Sequence, residues 1–206
     1  MIYMKFGEEQ TLRLLPWIKS GFNSPSPNVV KWHVMSKWGG TGTWIETGTY
    51  LGETTQYLSR ISKYVVSLEP ANKLYAEAQI KLRELKNVRI IHGSSESSIK
   101  GCLENLDYSQ KQDLNFWLDG HYSVGETYIG DHKSPILYEL EVIGATVDFS
   151  KSLTILIDDV RGFSRTGELK GGYPSLTYLV EWADSRNLYW VIEHDIFVMT
   201  NRVIHQ

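Results

Sequence analysis

A single cysteine, Cys102, is present among the 206 residues, which excludes an intrachain disulfide framework and a multi-cysteine zinc site. A basic excess is also missing: 21 Lys and Arg stand against 24 Asp and Glu, so a nucleic-acid partner is not expected. No apolar run approaches the roughly 18 residues of a membrane span, and Met1 to Gln10 lacks the apolar core of a signal peptide. These absences predict a soluble, cytoplasmic protein with no membrane partner. The oligomeric state, including a homo-oligomer, is left open.

Short apolar runs alternate with stretches of helical periodicity from about residue 43 onward. Runs of this kind are typical of strands buried on both faces of a parallel sheet. The predicted strands are Thr43–Glu46, Tyr64–Leu68, Val88–Ile91, Leu114–Leu118 and Leu153–Ile157. Between two of them, Asn72 to Leu85 has apolar residues at helical spacing. The alternation predicts βαβ units in a Rossmann-like, doubly wound α/β fold.

The two ends of the chain depart from this alternation. Two β-rich runs, Leu188 to Ile192 and Ile196 to Thr200, are too close together for a helix between them, so we expect an antiparallel hairpin. We predict one domain over residues 1–206, with a helical lead-in at 1–40 and the core at 41–206. The lead-in is expected to pack on the core, and a substrate-side cap is the alternative.

A glycine-containing turn follows the first predicted strand. It reads Glu-Thr-Gly-Thr-Tyr-Leu-Gly from position 46 to 52 and leads into a helical stretch, so backbone N–H groups would face a ligand. The candidate ligand-binding residues here are Glu46, Gly48, Thr49, Tyr50, Gly52 and Thr54. The spacing is not the Gly-x-Gly-x-x-Gly of dinucleotide folds. A plain strand-to-helix turn is the alternative interpretation.

The next two strand ends carry further polar residues. Glu69 lies about 20 residues beyond the glycine turn and is well placed to accept hydrogen bonds from both ribose hydroxyls of an adenosine. Its alternative role is that of an acid at a helix N-terminus. Ser94 and Ser95 follow the third strand, where their hydroxyls would either meet an adenine edge or cap the next helix.

Three carboxylates follow the fourth and fifth strands. Asp119, Asp158 and Asp159 are expected at neighbouring strand ends, where unpaired carboxylates would raise one another's pKa. Mg²⁺ would relieve this repulsion. The alternatives are that Asp158 or Asp159 caps a following segment and that Asp119 contacts a cofactor amino group without metal. His121, two residues beyond Asp119, is the candidate general base, because its ordinary pKa is near 6.5.

Together these segments resemble the class I S-adenosylmethionine-dependent methyltransferases over roughly residues 40 to 202. The stretch 46–52 is similar to the first motif of the family, Val66 to Pro70 to the second, and Gly93 to Glu96 to the adenine-side turn of catechol-type enzymes. The C-terminal hairpin is similar to that of the family's mostly parallel seven-stranded sheet. The resemblance implies S-adenosylmethionine as cofactor and a single methyltransferase domain.

Within the family, the acidic residues resemble the metal positions of Mg²⁺-dependent sugar and catechol O-methyltransferases, including the macrocin type. This implies that Asp119, Asp158 and Asp159 hold Mg²⁺ and that the acceptor is a hydroxyl of a small molecule such as a sugar or secondary metabolite. The sequence departs from the catechol type because no lysine follows Asp119 directly. Either His121 would take the proton, or the metal alone would suffice, and Asp119 is the second catalytic candidate. Two other hypotheses stay open: a nicotinamide-dependent oxidoreductase and a non-catalytic nucleoside-binding module.

Overall fold

The structure is a computed structural model that describes residues 8–119, 135–164 and 173–203. Its helices are α1 (Glu8–Lys19), α2 (Asn28–Trp38), α3 (Glu53–Ile61), α4 (Asn72–Leu82), α5 (Ser95–Glu104), α6 (Ile136–Thr146) and α7 (Leu176–Asp184). Its strands are β1 (Thr43–Thr47), β2 (Tyr64–Glu69), β3 (Val88–His92), β4 (Asp113–Leu118), β5 (Ser152–Ile157), β6 (Tyr189–Glu193) and β7 (Ile196–Thr200). Short 3-10 turns lie at Gln110–Gln112 and Val160–Gly162. The predicted strands are confirmed to within a residue at each end, and α4 ends three residues earlier than expected.

The seven described strands form one sheet in the order β3-β2-β1-β4-β5-β7-β6. All pairs from β3 to β5 are parallel, while β7 runs antiparallel to both β5 and β6. Strand order reverses between β1 and β4, and ligands of open α/β sheets bind outside the carboxyl ends of the strands at such a point. The predicted mostly parallel sheet with a C-terminal antiparallel hairpin is therefore confirmed.

The strands are apolar on both sides because helices cover both faces of the sheet. Along β1, Trp44 packs in one apolar cluster and Ile45 in the other, since successive side chains point to opposite faces. The Trp44 cluster includes residues of α2 and α3, and the Ile45 cluster includes residues of α5, α6 and α7. Burial of every residue of β1 leaves only its C-terminal end available for ligand chemistry.

The hairpin that reverses the sheet direction has a two-residue turn. His194 and Asp195 join β6 to β7, and both have positive φ, at 50° and 69°. Positive φ at both central positions is the geometry of a type I′ turn, whose twist matches that of the flanking strands.

The N-terminal lead-in consists of α1 and α2. The residues of α2 that the core buries are Val29, Val30, Val34, Met35 and Trp38. Packing on the core is thus confirmed for α2. Among the described residues, no helix is both long enough and apolar enough to cross a membrane.

Candidate active site

The turn between β1 and α3 has the backbone geometry that its glycines permit. Gly48 and Gly52 have φ values of 90° and 70°, in the region that residues with a Cβ rarely adopt. Tyr50 also has a positive φ of 48°. The Gly52 N–H donates to the Thr49 carbonyl at 2.8 Å and closes the turn. The backbone therefore curves tightly around the C-terminal end of β1, as the sequence predicted.

Glu69, at the end of β2, fixes this turn from the neighbouring strand. Its Oε2 accepts a hydrogen bond from the Tyr50 N–H at 2.8 Å, and its Oε1 accepts one from the Ala71 N–H at 2.9 Å. Burial raises the pKa of Glu69, and these two backbone N–H groups oppose that rise. Each carboxylate oxygen has more than one lone pair, so both oxygens keep capacity to accept from a further donor.

Glu46 lies fully buried in β1, beneath the same turn. Its Oε2 accepts hydrogen bonds from the Thr55 hydroxyl at 2.5 Å and the Ser67 hydroxyl at 2.6 Å. Its Oε1 is buried and has no hydrogen-bond partner among the described residues. Burial raises the pKa of Glu46 to about 8, against the effect of the two hydroxyls. A buried polar atom without a partner among the described residues is unusual in a folded protein, which makes this oxygen a candidate for contact with a ligand.

Three of the remaining residues predicted on this side, Thr49, Thr54 and Ser94, make hydrogen bonds within the fold. The Thr49 hydroxyl bonds that of Ser67 at 2.6 Å, and the Thr54 hydroxyl accepts from the Trp32 indole N–H at 3.4 Å. Ser94 is the N-cap of α5, where its hydroxyl accepts the Ser97 N–H at 3.3 Å. Capping was one of the two interpretations of Ser94, and the geometry supports it. Ser95 is buried in the first turn of α5.

On the other side of the strand-order reversal, β4 and β5 bring the predicted acidic residues together. The N–H of Asp119 donates to the Thr47 carbonyl at 3.3 Å, and that of Asp158 donates to the Leu118 carbonyl at 3.1 Å. The charge of Asp119 raises the pKa of both Glu46 and Asp158, as a secondary cause after burial. The charge of Asp119 therefore acts both on Glu46, in β1, and on Asp158, directly after β5.

Two cations compensate this acidic cluster, which we define as Asp119, Asp158 and Asp159. The Lys31 ammonium, from α2, forms an ion pair with Asp158 Oδ2. The Arg161 guanidinium lies 2.7 Å from Asp159 Oδ1 and also pairs with Asp195.

The pKa values of the ion pair at Asp158 reflect its burial. Burial raises the pKa of Asp158 to about 7, helped by the charge of Asp119 and opposed by that of Lys31. Burial alone would lower the pKa of Lys31, but the charges of Asp119 and Asp158 outweigh it, so that its pKa lies above the ordinary value. Lys31 is therefore held as an ammonium next to the acidic cluster.

The contacts of the acidic cluster do not fit the predicted magnesium site. One carboxylate of the three is paired with Lys31 and another with Arg161. Over residues 8–119, 135–164 and 173–203, no three Asp, Glu, His or Cys side chains form a group that could hold a metal ion. His121, the predicted base, lies outside the described residues, so its role stays a prediction.

Lys31 is the residue that the sequence analysis missed. It lies on α2 at helical spacing from Val34, Met35 and Trp38, and all three are buried. A lysine on the buried side of an amphipathic helix is rare unless it is paired, and this was the signal available in the sequence. Its partner Asp158 is 127 residues away in the chain, which no local pattern reveals.

Comparison with known proteins places this geometry in a familiar fold. No protein-family model and no curated protein matches the sequence. The O-methyltransferase TomG of Streptomyces achromogenes, involved in tomaymycin synthesis and solved with S-adenosylmethionine, superposes with a TM-score of 0.59 at 13% identity, over 97% of this chain and 91% of that one. A Bacillus cereus O-methyltransferase solved with S-adenosylhomocysteine gives 0.55 at 16% identity, over 97% and 92%.

A Clostridium thermocellum protein proposed to be an rRNA methylase is similar in the same way, with a TM-score of 0.53 at 12% identity over 86% of this chain and 97% of that one. At such identities the similarity establishes the fold alone. The chain has the fold of the class I methyltransferases, which confirms at the level of fold what the sequence resemblance implied.

Proposed function

We propose that the protein is an S-adenosylmethionine-dependent methyltransferase that acts on a hydroxyl of a small molecule. The observation that carries this proposal is the pair of buried glutamates at the glycine turn. Glu69 holds the turn through the Tyr50 N–H, and Glu46 keeps one buried oxygen that has no partner in the part of the chain that the structure describes. Both lie where ligands bind in this class of sheet.

The residues present fit an adenosine cofactor with a charged amino group. Glu69 would accept the two ribose hydroxyls, and the unpartnered Oε1 of Glu46 would accept from the amino group of the methionine part. The turn residues Gly48, Thr49, Tyr50 and Gly52, together with Thr54, would line the cofactor. Ser94 and Ser95 would lie on its adenine side, and Asp119 would contact its polar end.

The cofactor supplies an activated methyl group on a sulfonium sulfur. In the transfer that the bound cofactor would support, the acceptor oxygen would form a bond to the methyl carbon as the carbon–sulfur bond breaks and its electron pair stays on sulfur. The acceptor hydroxyl loses its proton, for which His121 stays the predicted base. The protein contributes orientation of the acceptor and removal of this proton.

Two similar structures support a small-molecule hydroxyl as acceptor, because the proteins from Streptomyces achromogenes and Bacillus cereus are O-methyltransferases. The similarity to the Clostridium thermocellum protein makes an RNA nucleoside the second candidate. A formal net charge of −3 favours the small molecule, since a phosphate backbone is normally bound by a basic surface.

The first experiment is calorimetric titration of S-adenosylhomocysteine into the wild-type protein and the Glu69→Gln variant. Glutamine keeps the shape of the side chain but presents N–H donors to groups that are themselves donors. We expect the wild type to bind with micromolar affinity and Glu69→Gln to bind at least about tenfold more weakly, since a charged hydrogen bond contributes about 1.5–3 kcal/mol.

Glu77→Gln, an exposed change on α4, is the matched control and should bind like the wild type. A wild-type protein that does not bind S-adenosylhomocysteine but binds NADH would contradict the proposal and favour the oxidoreductase hypothesis. If the cofactor binds, assays of radiolabelled methyl transfer to a panel of sugars, phenols and ribosomal RNA distinguish a small-molecule acceptor from an RNA acceptor. Binding without transfer to any of them would favour the non-catalytic module.

A further inference from the structure

Lys31 lies on α2, and contacts with the rest of the protein fix this helix beside the acidic cluster. Four hydrogen bonds tie α2 to α3: from Asn28 to Glu53 at 3.0 Å, from the Trp32 indole to Thr54 at 3.4 Å, from the Tyr57 hydroxyl to the Trp32 carbonyl at 3.0 Å, and one between the hydroxyls of Ser36 and Tyr57. The rings of Trp32 and Tyr57 stack at 5.0 Å. The position of Lys31 therefore follows from the packing of α2 and does not depend on a mobile loop.

The ammonium of Lys31 occupies the place that a cation would take in this cluster. Its side chain is 14% exposed, and its nitrogen lies 5.9 Å from the ring centre of the buried Trp117. It contacts Asp158 Oδ2 directly and is attracted by the charges of Asp119 and Asp159. A magnesium ion bound to the same oxygen would lie within a few ångströms of a fixed positive charge, which opposes its binding.

Asp158 keeps one polar atom that no described residue satisfies. Its side chain is 1% exposed; Oδ2 accepts from Lys31, and Oδ1 is buried without a hydrogen-bond partner. The ammonium of Lys31 carries three N–H donors, of which the bond to Asp158 uses one. An acceptor atom without a described partner thus belongs to the same carboxylate that pairs with a multi-donor ammonium, and an alcohol matches both groups because its oxygen accepts and its O–H donates.

We infer that Lys31 and Asp158 together bind the acceptor hydroxyl and that the Lys31 ammonium provides the positive charge supplied by a divalent cation in metal-dependent O-methyltransferases. This inference rests on the proposed function. The acceptor oxygen accepts from Lys31 while its O–H donates to Asp158 Oδ1, so Asp158 competes with His121 as the group that takes this proton. The site therefore selects a neutral hydroxyl compound and operates without Mg²⁺.

The experiment is calorimetric titration of MgCl₂ into the 206-residue chain with saturating S-adenosylhomocysteine. The proteins compared are the wild type, Lys31→Met and Lys37→Met. Lys37 is the matched control because it lies on the same helix, pairs with Glu193 and also faces a tryptophan ring, that of Trp38. We expect saturable Mg²⁺ binding at millimolar concentrations only in Lys31→Met, since removal of the ammonium frees the carboxylates. Binding to the wild type that equals that of Lys31→Met, or no binding to Lys31→Met, would overturn the inference.

Lys31→Gln is a second variant in case Lys31→Met does not fold, because the glutamine amide still donates to Asp158 but carries no charge. The same Mg²⁺ outcomes apply to it.

In transfer assays, EDTA should leave wild-type turnover unchanged. The Lys31→Gln variant should raise the acceptor KM at least about tenfold while the affinity for S-adenosylhomocysteine stays within about twofold, and Lys31→Arg should recover most of the loss. Loss of wild-type turnover in EDTA, restored by Mg²⁺, would contradict the inference. A wild type that binds no S-adenosylhomocysteine would contradict the proposed function alone. The Mg²⁺ titration would still test the inference, because it measures Mg²⁺ binding to the carboxylates of the acidic cluster and does not require the cofactor.

Discussion

The carboxylates on the two sides of the strand-order reversal are compensated in different ways. Glu46 and Glu69, at β1 and β2, receive hydrogen bonds from hydroxyls and backbone N–H groups. Asp158 and Asp159, after β5, are paired with the cations of Lys31 and Arg161. Neutral donors leave a carboxyl group without a fixed cation, so that a cationic ligand can favour its charged form, whereas fixed cations already cancel the charge of Asp158 and Asp159.

Under the proposed function, this difference separates cofactor binding from acceptor binding within one edge of the sheet. The hydrogen-bonded side suits a cofactor that brings hydroxyls and a cationic group. The ion-paired side suits a neutral acceptor whose oxygen needs a positive neighbour. Asp119, whose charge acts on both Glu46 and Asp158, lies at the boundary between them.

The largest expected effect is on the ion-paired side. Lys31→Met should lower the free energy of unfolding by about 3–5 kcal/mol, because it leaves the charge of Asp158 buried without its partner. The double variant Lys31→Met/Asp158→Asn should recover most of that loss. Urea denaturation of the four proteins of this cycle measures the coupling. If the double variant is no more stable than Lys31→Met, the two side chains do not act as a pair.

On the hydrogen-bonded side, Glu46→Gln should change how stability depends on pH. The pKa of Glu46 is about 8 in the fold, above its ordinary 4.5, so the folded protein keeps a proton that the unfolded chain releases. In the wild type, the free energy of unfolding should therefore fall as pH rises from about 5 to about 8, with a contribution of up to about 1.4 kcal/mol per pH unit from this residue.

Glu46→Gln removes this contribution, so the variant should be stabilised relative to the wild type increasingly toward pH 8. Urea denaturation between pH 5 and pH 9 measures the difference, and Glu77→Gln serves as the exposed control. Parallel pH profiles for wild type and Glu46→Gln would show that Glu46 is ionised in the fold at neutral pH.

A smaller effect is expected from removal of one hydroxyl donor. Thr55→Val keeps the shape of a fully buried side chain and deletes its hydrogen bond to Glu46. We expect a loss of about 1 kcal/mol at pH 6, where Glu46 is neutral, and about twice that at pH 9, where the bond is charge-assisted. Thermal unfolding at the two pH values tests this, and a loss that does not grow with pH would speak against ionisation of Glu46.

The smallest effect is expected at the exposed cation of the ion-paired side. Arg161 is 41% exposed, so Arg161→Gln should cost below about 1 kcal/mol, and added salt should reduce the cost further. Thermal unfolding at low and high NaCl concentration measures both quantities. A large, salt-insensitive loss would mean that Arg161, like Lys31, acts as a buried partner of the acidic cluster.

The fold could be predicted from the sequence because its signals are local. Runs buried on both faces read as continuous apolar stretches, and the short connection before Ile196 leaves no room for a helix. The glycine turn and the position of Glu69 beside it could be predicted for the same reason, since each lies directly after a strand. The site was harder to predict where a residue takes its role from a distant partner.

The sequence alone determined the alternation of strands and helices, the reversed last strand, and the polar residues at the strand ends. Tertiary structure alone decided how the charges of those residues are compensated. It gave Glu46 two hydroxyls from α3 and β2, and it brought Lys31 of α2 against Asp158 after β5. The physical reason is that periodicity and turn chemistry act over a few residues, whereas compensation of a buried charge depends on whichever group the packing of the whole chain places beside it.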